Sequence, residues 1–166
     1  MTPTLESIDA RLRHIEDVEA IKTTRLKYHW AMNEGIYDGL GDIYTEDAFI
    51  DFDGIVAVRG HAEVVDTLAR LGSRVDFIKQ FPSFHMVEVN GDGATGICYL
   101  DARYADKGES IMAAVKYTDK FRRTPQGWKF SEMLVKIYFN VPITRGWAGE
   151  GLRTIEPLAP ARGASS

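Results

Sequence analysis

The chain has 166 residues and a mass of 18.6 kDa, enough for one domain with a core and too few for two ordinary ones. Its 45% hydrophobic and 11% aromatic content excludes a disordered or low-complexity polymer, and a net charge of −4 argues against a nucleic-acid partner. A single cysteine, Cys98, can form neither an internal disulfide nor a thiolate zinc centre; no apolar run reaches the roughly 20 residues that span a bilayer, and no basic-then-apolar leader opens the chain, so a cytoplasmic protein without a membrane partner is expected.

The first element is a long helix. Leu5, Ile8, Leu12, Ile15, Val18 and Ile21 recur at steps of three or four, and the same stripe is expected to continue through Tyr28 and Met32 to a stop at Gly35. A short helix is predicted between Tyr37 and Tyr44. Ala48 to Phe52 and Ile55 to Val58 then form a hairpin about the Asp53-Gly54 turn. A second helix with Val64, Val65, Leu68 and Leu71 on one face opens near Gly60 and closes near Gly72.

From Val75 the pattern is that of strands. Val75 to Val89 carries Pro82, which places an interruption or a sheet edge there. Asn90-Gly-Asp-Gly93 leads into Ala94 to Tyr104, Asp106-Lys-Gly-Glu109 into Ser110 to Arg123, and Thr124-Pro-Gln-Gly127 into Trp128 to Val141. Long strands joined by short turns are antiparallel neighbours. The expected fold is α+β: a curved antiparallel or mixed sheet wrapped round the long N-terminal helix into a cone over residues 1–145, with an irregular tail over 146–166. The face read as outer, with Met112, Ala114, Met133, Val135, Ile137 and Phe139, is too apolar to leave in water, so self-association is expected.

Several polar residues are aimed inward by this reading. His85 shares a strand face with Val87 and Val89, where it is either a structural histidine bonded to a carbonyl or a proton carrier near neutral pH. Asp101 shares a face with Ile97 and Tyr99. It is either the partner of that histidine or a rim carboxylate beside Arg103. Lys136, among Trp128, Phe130, Leu134 and Tyr138, either stabilises a developing oxyanion or carries its amine out to water. Tyr28 lies at the centre of the helical stripe and Asn33 at its edge, whereas His14, His29 and His61 have no comparable setting. No His/Asp/Glu cluster has metal-ligand spacing, and there is neither a Gly-rich phosphate loop nor a Gly-x-Ser-x-Gly elbow, so no metal and no cofactor are expected.

Ile15-Glu-Asp-Val-Glu-Ala-Ile-Lys22 leading to Lys27-Tyr28, Tyr44-Thr-Glu-Asp-Ala48, Phe84-His85, and Tyr117-Thr-Asp-Lys-Phe-Arg-Arg123 followed by Gly127-Trp-Lys-Phe-Ser131 together resemble the SnoaL-like branch of the nuclear-transport-factor-2-like superfamily. Within that branch the pattern is similar to bile-acid 7α-dehydratases, scytalone dehydratases and hexachlorocyclohexane dehydrochlorinases, which are cofactor-free eliminases. The resemblance implies His85, Asp101 and Tyr28 as catalytic groups, with Asn33, Lys136, Phe52, Tyr99, Trp128 and Leu134 lining the substrate site. Asn33 stands where two of these enzymes have an aspartate, and Phe52 where the scytalone enzyme has a tyrosine. The implied activity is elimination of water from an apolar cyclic hydroxy-carbonyl compound, steroid- or polyketide-like. Isomerase or cyclase chemistry and a non-catalytic binding or assembly module are the alternatives. The implied assembly is a homotrimer, with a homodimer second.

Overall fold

The first helix, α1 (Leu5–Glu34), is capped at its start by Thr4, whose Oγ1 accepts from the Ser7 N–H, and is ended by Gly35 at φ 67°, the left-handed conformation that glycine adopts without steric cost. The computed structural model describes residues 4–149; the expected tail from residue 150 onward lies outside them. Only the C-terminal half of α1 is buried. Ile21, Tyr28, Ala31 and Met32 are in the core, whereas Leu5, Ile8, Leu12 and Ile15 are exposed. The single stripe expected from the sequence is therefore two. Each step of three falls about 60° short of a full turn, and the consecutive steps Leu12, Ile15, Val18, Ile21 carry the pattern round to the opposite side of the helix.

A short 3-10 helix (Asp38–Ile43) leads into β1 (Tyr44–Phe52), which turns through Asp53 and Gly54, both at positive φ, into β2 (Ala57–Arg59) and then α2 (His61–Ser73). Four long strands follow: β3 (Phe77–Asn90), β4 (Gly93–Asp106), β5 (Glu109–Thr124) and β6 (Gly127–Pro142). The sheet order is β2-β1-β6-β5-β4-β3, antiparallel throughout except where β1 runs parallel to β6. This is the expected α+β cone, a curved and unclosed mixed sheet with α1 against its concave side. Among the described residues no helix is long and apolar enough to cross a membrane.

Three bulges decide which residues face the helix. In β3, Pro82 pairs with Leu100 and His85 with Cys98, so Ser83 and Phe84 together oppose Tyr99. In β6, Ser131 is extra between Phe130 and Glu132, and Tyr138 is extra between Ile137 and Phe139. Because side chains alternate with period two, each extra residue exchanges the inner and outer faces. The inner face of β6 is thus Trp128 and Phe130, then Met133, Val135 and Ile137, then Asn140. Met133, Val135 and Ile137, read from the sequence as outer-face residues, are core. The outer face does carry Met112, Ala114 and Phe139, half-buried, with Phe81, Phe84 and Tyr138 more exposed.

Candidate functional site

A cavity of about 120 Å³ opens between α1, α2 and the concave side of the sheet. Met32, Ile55, Leu71, Leu100, Val115 and Ile137 represent its mainly apolar wall. Its polar lining comes from three tyrosines, Tyr28, Tyr104 and Tyr117, and two amides, Gln80 and Asn140. Tyr104 donates to Asn140 Oδ1 at 2.7 Å, so that pair is internally satisfied. Burial raises the Tyr28 pKa, while the neighbouring Tyr117, Arg25 and Gln80 pull it back. Tyr117 is itself pushed well up, first by its own burial.

Gln80 is held by two α1 residues one turn apart, Asn33 and His29. The Asn33 side chain donates to the Gln80 carbonyl at 3.0 Å and accepts from the Gln80 N–H at 2.6 Å, in the manner of a neighbouring strand. An aspartate could not make the first of these bonds, which gives the asparagine a structural reason. The Gln80 side chain contacts His29, with Nδ1 and Oε1 2.7 Å apart. A carbonyl oxygen only accepts, so Nδ1 carries the proton and Nε2 is the bare nitrogen. The His29 ring lies edge-on to Tyr28 and Tyr117, with centroids at 5.0 and 5.6 Å.

Beneath the cavity lies an ion pair that sequence reasoning missed. Arg25 of α1 and Asp119 of β5 are both fully buried and in contact. The guanidinium stands 4.4 Å from the Tyr117 ring centre and 4.6 Å from that of Phe130. Burial pushes the Asp119 carboxyl up to about 6 against the pull of Arg25. One signal was legible: Asp119 alternates with Tyr117 and Phe121 on a strand face that a helix must cover, and a buried acid needs a cation.

The predicted site residues distribute unevenly about this cavity. Tyr28 and Phe52 line it. His85 is on the concave side but does not line it; its ring occupies the space over Gly96, 5.9 Å from the Phe121 centroid, and neither ring nitrogen has a partner among the described residues. Asp101 is exposed on the outer face, 3.5 Å from Arg103, because the inner face of β4 is the even-numbered one through Cys98, Leu100 and Ala102. It cannot pair with His85. Tyr99 is outside for the same reason, stacked on Tyr138 at 6.2 Å. The bulge at Ser131 turns Leu134 and Lys136 outward, and Lys136 reaches Asp53 at 3.6 Å. Trp128 is buried away from the cavity, donating to Asp17 at 2.9 Å. Asn33 is occupied by the Gln80 backbone and is outside the cavity lining.

With this geometry in hand, a SnoaL-like domain model matches residues 13–134. The chain belongs to the SnoaL-like family. An uncharacterized protein of Mycobacterium tuberculosis is 28% identical over 120 residues, covering 69% of this chain and 81% of its own length. An NTF2-like protein with a cystatin-like fold from Novosphingobium aromaticivorans has 26% identity and a TM-score of 0.68, over 83% of this chain and 92% of that one. A candidate scytalone dehydratase from the same organism superposes with a TM-score of 0.72 at 15% identity, over 89% and 97% of the two chains. A hexachlorocyclohexane dehydrochlorinase from Novosphingobium barchaimii does so at 0.68 and 19% identity, over 89% and 97%. The SnoaL-like fold thus has dehydratases and dehydrochlorinases among its neighbours.

Two further results are expected of this SnoaL-like site. A Cβ on Gly96 would lie 2.4 Å from His85 Nε2 and 3.0 Å from Phe121, so Gly96→Ala must displace the imidazole, at a cost of about 1–3 kcal/mol. A shifted His85 ring resonance with a lowered urea midpoint would agree; an unmoved ring would not. Burial holds His29 at about 3 and His85 at about 4, with Arg25 adding to both shifts. The unfolded chain therefore takes up these two protons below the ordinary histidine value of 6.5, while the folded chain does not. Stability from these groups is present above pH 6.5 and lost as pH falls toward 4. Asp119, raised above its ordinary 3.8, acts oppositely between about 6 and 4. Urea midpoints should fall with a net slope of about one proton as pH drops from 6.5 toward 5, the two imidazoles outweighing the one carboxyl. A flat profile would refute the buried neutral imidazoles.

Proposed function

We propose that this protein is a cofactor-free lyase, a dehydratase acting on a one-ring hydroxy-carbonyl compound. The observation that carries the proposal is the buried Tyr28 phenol in the wall of a mainly apolar cavity, with Gln80 and Tyr117 beside it in the same lining. With Gln80 Oε1 facing His29 Nδ1–H, the Gln80 amide NH2 is the group left to donate within the lining that it shares with Tyr28. The Tyr28 O–H is then free to donate to a ligand carbonyl, and the polarised phenol stabilises the charge that develops there as the neighbouring C–H bond breaks. The group that accepted the α-proton returns it to the β-hydroxyl as its C–O bond breaks, so that water departs and the double bond forms with no net proton gained or lost.

Cavity size narrows the substrate. An engineered protein cavity of about 150 Å³ accepts benzene, so about 120 Å³ supports a single ring rather than a four-ring steroid. The proton acceptor we assign is one of two imidazoles, both neutral at pH 7. His29 touches the cavity-lining Tyr28, Tyr117 and Gln80, whereas His85 stands farther back against Phe121. Replacing each by glutamine separates them.

A second reading, a non-catalytic binding module, is favoured by one observation: among the described residues the cavity lining contains no carboxylate and no histidine. One experiment decides. Six-membered-ring β-hydroxy ketones are incubated with the protein and enone formation is followed by ultraviolet absorbance, with binding measured in parallel by calorimetry. Turnover that is lost in Tyr28→Phe while a hydrocarbon ring still binds and the ketone binds more weakly supports the lyase. Binding without turnover in the unsubstituted chain supports the module.

A further inference from the structure

The outer side of α1 carries a second apolar stripe that no other part of the described chain covers. Leu5, Ile8, Leu12, Ile15, Leu26 and Trp30 are between 46 and 86% exposed. At about 100° per residue they fall within roughly 80° of one another, on the side of the helix away from Ile21, Tyr28 and Met32. Isolated exposed apolar residues are ordinary, but six large ones aligned along one helix are not. The stripe is interrupted only at its middle, where Glu19 and Lys22 lie on the same face, 2.9 Å apart. The N-terminal part of α1 also stands clear of the sheet: every residue from Leu5 to Glu16 is exposed. A free helix of about twelve residues is marginal in water, so this segment gains from a partner.

We propose that a second copy of this chain docks antiparallel along the outer face of α1. The charge arrangement selects both occupant and direction. With the two-fold axis between Ala20 and Ile21, Glu19 faces the partner's Lys22 and Lys22 faces the partner's Glu19. Ile15 then meets the partner's Leu26, and Leu12 lies beside the partner's Trp30. The exposed N-terminal turns of each chain lie along the outer face of the C-terminal half of the other's helix, toward its end at Gly35, where Ile36 is also 48% exposed. A parallel pair would instead set Glu19 against Glu19 and Lys22 against Lys22. The self-complementary pattern is that of an isologous two-fold contact, which builds an even-numbered assembly.

The test is sedimentation equilibrium of the full chain and its variants. Leu26→Glu changes a solvent-exposed residue, so the fold, followed by far-ultraviolet circular dichroism, should persist while the assembled mass halves. Glu19→Lys and Lys22→Glu should each weaken self-association at least tenfold, and the double exchange should restore it. An Ile15→Cys, Leu26→Cys chain should cross-link between copies under mild oxidation, since Cys98 is buried. Unchanged mass in Leu26→Glu, failure of the double exchange to recover, or a monomeric unsubstituted chain would overturn the proposal. So would a chain that begins to self-associate only on removal of residues 150–166, because its own tail would then be the occupant.

Discussion

Asp119→Leu is expected to cost this protein about 3–5 kcal/mol of stability, a large share of the 5–15 kcal/mol typical of a domain. The carboxylate and its partner Arg25 are both fully buried, so removing one leaves the other without compensation. The two halves of the pair are not equivalent. Arg25→Met leaves an acid already held at about 6 by burial, and without the cation it rises further and becomes neutral at pH 7. Asp119→Leu leaves a guanidinium that cannot shed its proton in any accessible range. Asp119→Leu should therefore be the more damaging of the two, and the double variant Arg25→Met, Asp119→Leu should recover most of the loss. Urea unfolding at pH 7 measures all three. Equal midpoints for the single variants would mean that the desolvation argument fails for this pair.

Tyr28→Phe should lower turnover about 10²–10³-fold, the usual consequence of removing one preorganised donor from a developing oxyanion. The substitution keeps the ring that packs on His29 and Tyr117 and removes only the hydroxyl, so cavity shape and stability should change little. Binding of an unsubstituted hydrocarbon ring should persist, whereas the carbonyl compound should lose affinity. A split of this kind separates a hydrogen bond to the substrate from a packing role. If Tyr28→Phe turns over as fast as the unsubstituted protein, the phenol is not part of the chemistry and the dehydratase proposal loses its anchor.

The candidate site was only partly legible in the sequence, and the reasons are local. Tyr28 was found because a tyrosine in the buried stretch of a helix periodicity is visible without tertiary information. His85 was placed on the correct side of the sheet, opposite Cys98, yet behind rather than within the cavity. Asp101, Tyr99, Leu134 and Lys136 were assigned to inner faces by extending an alternation from one end of a strand. In β6 that extension is valid from Trp128 to Phe130 and inverts at Ser131. In β4 the small residues Ala94, Gly96, Cys98 and Ala102 mark the concave side, where the His85 ring lies over Gly96, a signal that the larger Tyr99 and Arg103 on the other side obscured. His29 carries no local mark in the sequence, because its partner, Gln80, lies 51 positions away.

What the sequence determined by itself was whatever depends on neighbours along the chain: a long capped helix ending at Gly35, the Asp53-Gly54 turn with its positive φ angles, four long strands joined by short turns, and hence an α+β cone. Tertiary structure alone decided which faces look inward, which groups meet beneath the cavity and which half of α1 is covered. A bulge adds one residue at the energetic expense of a local ladder and leaves almost no compositional mark, yet it exchanges the two faces of the strand beyond it. The Arg25–Asp119 and His29–Gln80 pairs arise only when the curl of the sheet brings β5 and β3 against the same two turns of helix, a distance set by packing and not by any local pattern.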